Sequence, residues 1–335
     1  MTATSATSTI KQATRRLTYL AAIHEAQLEE LRRDERVIML GEDIETSIFG
    51  TTDGFLAEFG PKRIRDTPIS EVGFCGAAIG AAMTGLRPIV DFSIATFLYV
   101  AMDQLVSQAA KSRYMFGGQA TIPVVFRAAM FYRSSIAAHH SDRPYPTFMT
   151  IPGLKIIAPS SPYDIKGLLK SAIRDDDPVL CFEDQNLWTS REVVPAEEYL
   201  IPLGEAAVKR PGDDVTLVAI AGAVPLALKA ADALAGEGIS AEVIDPRTLV
   251  PLDWPTIFAS VARTGRLVVV DPAAKTCSAA SEIVATVSEE LFADLKAPPR
   301  RVVTPDIQIP FSPAMELPLY PNPDKIAAAV RETVA

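Results

Sequence analysis

The sequence predicts an α/β protein of two domains, each built on a parallel sheet with helices on both faces, the second smaller than the first. Three observations carry that expectation. Strand-length apolar runs alternate with helix-length segments, the alternation lapses once in a charged, proline-bearing stretch, and it then resumes on a smaller scale. A length of 335 residues also exceeds what one hydrophobic core usually organises. The boundaries follow: a disordered tail over 1–16, a first domain over 17–190, a linker over 191–213 and a second domain over 214–335.

Each element has a local reason. LTYLAAIHEAQLEELRR, 17–33, places apolar residues at helical spacing and ends on basic residues that suit the negative end of a helix dipole. VIMLGED, 37–43, is a buried strand running into an acidic turn at Glu42 and Asp43. GFCGAAIGAAMTG, 73–85, sets Gly73, Gly76, Gly80 and Gly85 among alanines, a composition suited to a helix that approaches another helix or chain closely. RPIVDFSIATF, 87–97, and IPVVFRAA, 122–129, read as strands on either side of the helix AMDQLVSQAAKSRYMF, 101–116. LKIIAPS, 154–160, is a further strand, and Ser161 caps the helix that follows it to residue 175. Between 183 and 214, Pro195, Pro202 and Pro211 sit among charges, which marks an interdomain connection with a short edge element. Beyond it, strands over 214–222, 241–247 and 266–273 and a helix over 224–238 make the second unit.

Bulk properties exclude several classes. A net charge of -9 lacks the basic footprint of a nucleic-acid-binding protein. The 48% hydrophobic content asks for large cores and a large subunit interface. The longest uncharged apolar run, 215–228, contains Gly222 and Pro225 and falls short of the ~20 residues of a membrane helix. Cys75, Cys181 and Cys277 are odd in number and widely spaced, which indicates neither a disulfide framework nor a metal knuckle and fits a reducing cytoplasm. Residues 1–16 carry Ser, Thr and Arg but no acid, so a mitochondrial transit signal is the competing reading of the tail.

Within RDTPISEVGFCGAAIGAAMTGLRPIVDF, 65–92, Glu71 stands at the mouth of a nearly uncharged, small-residue run. On composition alone it is a first-turn acid that interacts favourably with the helix dipole. Its flanks say more. They continue as DQLVSQAAKSRYMFGG, HSDRPYPTFMTIPGLKIIAPSSPYDIKGLLKSAIRDDDPVLCFED, AEVIDPRTLVPLDWPTI, TGRLVVVDPA and FSPAMELPLYPNPDKI. From about residue 17 onward, this series resembles the β subunit of the thiamine-diphosphate-dependent 2-oxo acid dehydrogenase E1 components that act on pyruvate and on branched-chain 2-oxo acids.

The resemblance implies a transketolase-type pyrimidine-binding domain followed by a transketolase C-terminal domain, in an α2β2 heterotetramer. It puts Glu71 where the family's glutamate hydrogen-bonds N1′ of the cofactor aminopyrimidine, so that the cofactor's own 4′-amino group can serve as a base. An apolar setting suits that task, because desolvation raises the proton affinity of a carboxyl group. Phe97 matches an aromatic position that stacks on the aminopyrimidine, and Glu42 ends a strand where α/β sheets place ligands. His140, with His139 as the fallback, matches a histidine that lines the family's active site and handles protons there, including during reductive acylation of a lipoyl group.

Other implications concern ions and partners. The family binds Mg2+ and the diphosphate through a GDG motif that this sequence lacks, so a separate α chain is expected to carry the metal and that half of thiamine diphosphate; no metal ligand is assigned here. A structural K+ would sit on main-chain oxygens at Ala172, Asp175 and Asp177. The C-terminal domain would pack the tetramer and help dock a lipoyl acyltransferase E2 core, with Asp271 at a position where relatives often have glutamate or histidine.

This chain also departs from the family. The usual glycine-rich loop before the histidine is RAAMFYRSSIAAHHSD here, with Met130, Phe131, Tyr132 and Arg133 in it, Asp142 in place of glutamine, and Val100 where a small polar residue or glutamine is usual. Bulky side chains would narrow the pocket, and Arg133 or Arg143 would meet a substrate carboxylate. The leading reading is a 2-oxo acid dehydrogenase E1 β subunit. A split transketolase-like or acyloin-forming carboligase subunit and a non-catalytic scaffold subunit are the alternatives, separated by the acyl acceptor and by the effect of Glu71→Gln.

Overall fold

The computed structural model describes residues 15–335. The strands organise the fold. In the first domain they are β1 (Arg15–Thr18), β2 (Val37–Gly41), β3 (Ile64–Asp66), β4 (Arg87–Ile94), β5 (Val125–Met130), β6 (Lys155–Ile157), β7 (Val179–Asp184) and β8 (Arg191–Val194). Then come β9 (Ala207–Arg210), β10 (Val215–Ala219), β11 (Ala241–Asp245), β12 (Thr248–Val250), β13 (Leu267–Ala274) and β14 (Arg300–Thr304). A seven-stranded sheet runs β12-β6-β7-β5-β4-β2-β3 and a five-stranded sheet runs β14-β13-β10-β11-β9. Within these two sheets only the edge strands β12 and β9 pair antiparallel.

Period-two alternation explains how the larger sheet is covered on both faces. Ile89 and Val125 pack into a core with the helices Tyr19–Arg33 and Pro162–Arg174. Their neighbours Val90, Phe92 and Phe126 turn to the other face, toward the helix Glu71–Met83. Ser161 caps its helix as expected, accepting from the Asp164 N–H at 3.2 Å. The smaller sheet has its own two cores, one lined by Val215, Leu217 and Val243 and one by Val218, Ile244 and Val269.

Three boundaries differ from the sequence reading. Arg15 and Arg16, assigned to the tail, belong to β1 and pair with Val194 and Val193 of β8; the rest of the tail lies outside the described residues. The linker 191–213 holds two strands, and the second, β9, completes the smaller sheet beside β11, so that sheet begins before residue 214. The segment 101–116 is a π-helical turn, Gln104–Ala109, leading into an α-helix, Ala110–Met115. No sequence signal foresaw that β12 crosses back to pair with β6 of the larger sheet.

Buried polar contacts tie the domains together. Asp184 at the end of β7 accepts the Gly222 N–H at 2.9 Å and the Tyr132 hydroxyl at 2.6 Å. Asp164 and Asp245 are both fully buried at the junction, where Arg247 lies 2.9 Å from Asp164 and Lys209 also pairs with it. Cys75 and Cys181 are buried and Cys277 is exposed, all as free thiols. Among the described residues no helix is long and apolar enough to cross a membrane.

Candidate active site

The four residues singled out by sequence converge on one edge of the larger sheet. Glu42 follows β2, Glu71 follows β3 by five residues, Phe97 lies in the 3-10 turn Ala95–Tyr99 after β4, and His140 ends the turn Ala137–His140 after β5. These are the C-terminal ends of strands that neighbour one another as β5-β4-β2-β3, the edge at which open α/β sheets bind ligands. Gly41 allows the tight approach there: a Cβ on it would stand 2.5 Å from the Asp91 carbonyl oxygen of β4.

Glu71 opens its helix and is only 7% exposed. Glu42 lies near enough to feel it. Burial, then the charges of Glu71 and Asp43, push the Glu42 carboxyl above the usual range, so it keeps its proton to higher pH. Its Oε1 is buried with no hydrogen-bond partner, and so are Thr67 Oγ1, between β3 and the Glu71 helix, and Thr96 Oγ1, next to Phe97 in the chain. Buried polar atoms are nearly always paired. Three orphans at neighbouring strand ends, one of them on Glu42 itself, suit a polar ligand such as an aminopyrimidine, which offers both donors and acceptors.

His140 meets Phe97 edge-on, with ring centroids 5.8 Å apart at 77°. His139 is 5.6 Å from His140 and exposed, and it is His139 rather than His140 that reaches the neighbouring cavity. A cavity of about 440 Å3 beside them is lined by Thr96, Phe97, Tyr99, His139, Asp142 and Gln308, the last from the second domain. Burial, then the Asp142 charge, push the Tyr99 hydroxyl up to about 12, so it stays a hydrogen-bond donor at neutral pH. Thr67, Thr96 and Tyr99 carried no sequence signal. Two larger grooves, near Arg113 and near Trp254, contain none of Glu42, Glu71, Phe97 and His140, so size alone does not mark the site.

Beneath the site lies a charged floor. Arg127 of β5 donates from Nε and Nη2 to Glu183 at 2.6 and 3.1 Å, and from Nη1 to Gln27 at 2.7 Å and Asp91 at 3.1 Å. Above it, the face of the Glu71 helix that carries Val72, 45% exposed, and Met83, 42% exposed, is open. A Cβ at Gly76 would touch Gln104 at 3.7 Å, but at Gly80 it would meet nothing within 4 Å. The small-residue stripe is thus only partly used within this chain.

Several expectations are corrected. Arg143 is not free for a substrate carboxylate: it is buried, donates from Nε to the Pro272 carbonyl at 2.8 Å, and lies over the rings of Tyr132 and Tyr320. The bulky loop does not narrow the pocket as supposed, because Phe131 packs against Phe49 and Trp188 while Tyr132 packs on Tyr320. Asp271 is fully buried, accepting the N–H groups of Ala273 at 2.8 Å and Ala280 at 3.0 Å, and so cannot touch a docking partner. Around the three K+ positions, groups of this chain already make contacts. Lys155 lies 2.7 Å from Asp175 and 3.3 Å from Asp177, the Asp175 carbonyl accepts from Arg87 at 2.5 Å, and the Ala172 carbonyl accepts the Asp175 N–H at 3.2 Å. Among the described residues no group of three or more His, Cys, Asp or Glu stands ready to hold a metal ion.

Comparison with known proteins agrees with this fold. Residues 15–189 match the transketolase pyrimidine binding domain and residues 204–326 the transketolase C-terminal domain. The chain is 47% identical to the acetoin:2,6-dichlorophenolindophenol oxidoreductase subunit beta of Cupriavidus necator, over 96% of this chain and 98% of that one. It is 43% identical to the 2-oxoisovalerate dehydrogenase subunit beta of Bacillus subtilis, over 94% and 98%. A solved structure described as a split gene transketolase, inactive beta4 tetramer, superposes with a TM-score of 0.78 at 22% identity, covering 95% of this chain and 98% of that one. The two halves of the chain, in this order and on this fold, belong to the family of thiamine-diphosphate-dependent 2-oxo acid dehydrogenase E1 β subunits.

Proposed function

We propose that this chain supplies the aminopyrimidine half of an E1 active site that decarboxylates a 2-oxo acid and passes the acyl group to lipoamide, together with a separate α chain in an α2β2 heterotetramer. The observation that carries the reading is the buried Glu71 near Glu42, whose carboxyl is raised by burial and by that neighbour, with unpartnered polar atoms on the loops at the same C-terminal edge of the parallel sheet. Thiamine diphosphate, when bound, supplies a carbon nucleophile and an electron sink.

The side chains of this chain do the rest. Glu71 would hold a proton at ring nitrogen N1′, in a setting from which water is largely excluded. Burial, then the charge of Glu71, raises the proton affinity of Glu42, which eases the repulsion between the two carboxyl groups. Phe97 offers its ring for stacking, and His140, fixed edge-on against it, moves protons at the substrate. The open face of the Glu71 helix and the exposed Tyr99 and Val100 beside the site would be covered by the α chain, which would also bring Mg2+ and the diphosphate pocket. A lipoyl acyltransferase core is the proposed acyl acceptor, and a cytoplasmic location accords with the free thiols.

A second substrate class is favoured by one finding: relatives at 47% and 45% identity are named as acetoin oxidoreductase β subunits. With an acyloin, His140 would accept the hydroxyl proton as the carbon–carbon bond breaks; carboligation is that step reversed. The test is Glu71→Gln in enzyme reconstituted with the α chain, assayed on pyruvate, branched-chain 2-oxo acids and acetoin. Turnover on the preferred substrate should fall by about 100-fold or more with assembly intact, the range expected for a lost acid–base group. A variant as active as the parent would overturn the assignment, and the preferred substrate decides between the two classes.

A further inference from the structure

We infer that Glu316, a residue of the second domain, is a positioning residue for His140, acting through the backbone of the loop that carries it; this rests on the reading of His140 as a site residue. The loop between β5 and the turn Ala137–His140 holds three non-glycine residues in the left-handed region, Arg133 at φ 63°, Ser135 at φ 56° and Ala137 at φ 61°. Side chains with a Cβ avoid that region unless surrounding contacts enforce it. In the family that the sequence resembles, the loop is glycine-rich and meets no such penalty. Here something outside the loop must hold the backbone in shape.

Glu316 does so. It is 0% exposed and ends the short helix Pro313–Glu316. Its Oε1 accepts the Arg133 N–H at 2.8 Å, and its Oε2 accepts the Ser135 N–H at 2.9 Å. Left-handed residues in such a run turn successive N–H groups toward one point, and a carboxylate fills the concavity they make. Tyr320 donates its hydroxyl to the same Oε1 at 3.0 Å and steers the carboxylate. Immediately before the two anchored amides, Tyr132 packs its ring on Tyr320 and donates to Asp184 at 2.6 Å. One carboxylate from the far domain thus clamps both backbone donors just upstream of the turn that presents His140 to Phe97. Without it, the two N–H groups lose their partner and the left-handed residues can relax, carrying the imidazole away from Phe97.

The proposal separates from a merely structural role through the backbone strain. If Glu316 works by enforcing left-handed φ values, a glycine at Ser135, which adopts them freely, restores what Glu316→Gln takes away. A residue that only held the domains together would gain nothing from that glycine.

The experiment uses the full chain assembled with its α partner and three readouts: amide hydrogen exchange of the peptide spanning 131–141, the rate at which diethyl pyrocarbonate modifies His140 with His24 as internal control, and kcat and KM on the preferred substrate. In Glu316→Gln the 131–141 amides should exchange about 10- to 100-fold faster, as expected when a charged acceptor of buried N–H groups is lost. His140 modification should change at least about threefold while His24 does not move, and kcat should drop about tenfold with KM little altered, because the misplaced group acts in the transition state. Glu316→Gln combined with Ser135→Gly should recover most of the loss in kcat and the parental His140 reactivity. Unchanged exchange, unchanged His140 reactivity, or a loss that the glycine does not rescue overturns the inference. If the parental enzyme turns over none of the substrates, the E1 reading falls, and the exchange and modification arms still decide the role of Glu316.

Discussion

Replacing Arg127 by methionine tests whether the charged floor under the site is held by pairing or is incidental. The Arg127 side chain is 3% exposed and that of Glu183 4%, so neither charge has water to fall back on. Its four hydrogen bonds, to Glu183, Gln27 and Asp91, have no substitute in an apolar side chain of similar length. Breaking a buried pair by removing one partner costs about 3–5 kcal/mol, because the other charge is left uncompensated. The penalty must also depend on pH. Burial already raises the Glu183 carboxyl above its usual range, with Arg127 opposing that rise, so removing Arg127 lifts it further. A carboxyl whose folded value exceeds its unfolded value of about 4.3 stabilises the fold below that value and loses the contribution as pH climbs through the folded one. The variant should therefore be most crippled near pH 8 and recover on acidification by up to about 1.4 kcal/mol per pH unit across that window. Urea unfolding followed by Trp188 fluorescence, in a Trp254→Phe background, reads the first domain alone. A loss below about 1 kcal/mol at pH 8, or one that does not shrink toward pH 5, would refute the pairing argument.

Two further outcomes follow from the site. Glu42→Gln removes a carboxyl whose raised proton affinity favours the fold at low pH and is lost as pH rises through its folded value, so the variant's thermal midpoint should gain on the parent between pH 5 and pH 8; a pH-independent difference would contradict the shift. Gly80→Leu adds bulk where a Cβ would meet nothing within 4 Å, so the free chain should fold at least as stably, by up to about 1 kcal/mol, while light scattering should show that assembly with the α chain fails; normal assembly would remove that face from the proposed interface.

How much of this was legible in the sequence depended on whether local chemistry or distant packing decides each element. The central strands β2, β4, β5, β10 and β13 announce themselves, because apolar runs at a buried sheet position have no other stable use. The edge strands β3 and β8, written Ile-Arg-Asp and Arg-Glu-Val-Val, carry too few apolar residues to stand out. The crossing of β12 into the first sheet is decided by interdomain packing, which no window of sequence contains. At the site, Glu42, Glu71, Phe97 and His140 were reachable from motif and strand-end position, whereas Thr67 and Thr96 matter only because burial leaves their hydroxyls without partners. Arg143 was misjudged for the same reason in reverse. An arginine in a loop reads as a free cation until its burial between two tyrosine rings is known.

The arrangement also explains why the histidine loop can be bulky here. A glycine-rich loop reaches left-handed backbone without strain but at a cost in chain entropy, and it must be ordered by whatever it binds. This chain takes the other route: residues with side chains adopt the strained conformation, and the contacts those side chains make, Tyr132 with Asp184 and Tyr320, Phe131 with Phe49 and Trp188, together with Glu316 on the backbone, hold it before any ligand arrives. Order is then supplied by the rest of the chain, the second domain included, rather than by the substrate. The anchors come from the segment after β2, from β7 and the turn beyond it, and from the C-terminal segment, so a shift between the domains would reach His140 before it reached Glu71, whose helix packs mainly on β4, β2 and the π-helical turn of the first domain. On the proposed roles of His140 and Glu71, proton handling at the substrate is the step most exposed to domain movement, and recognition of the aminopyrimidine the least.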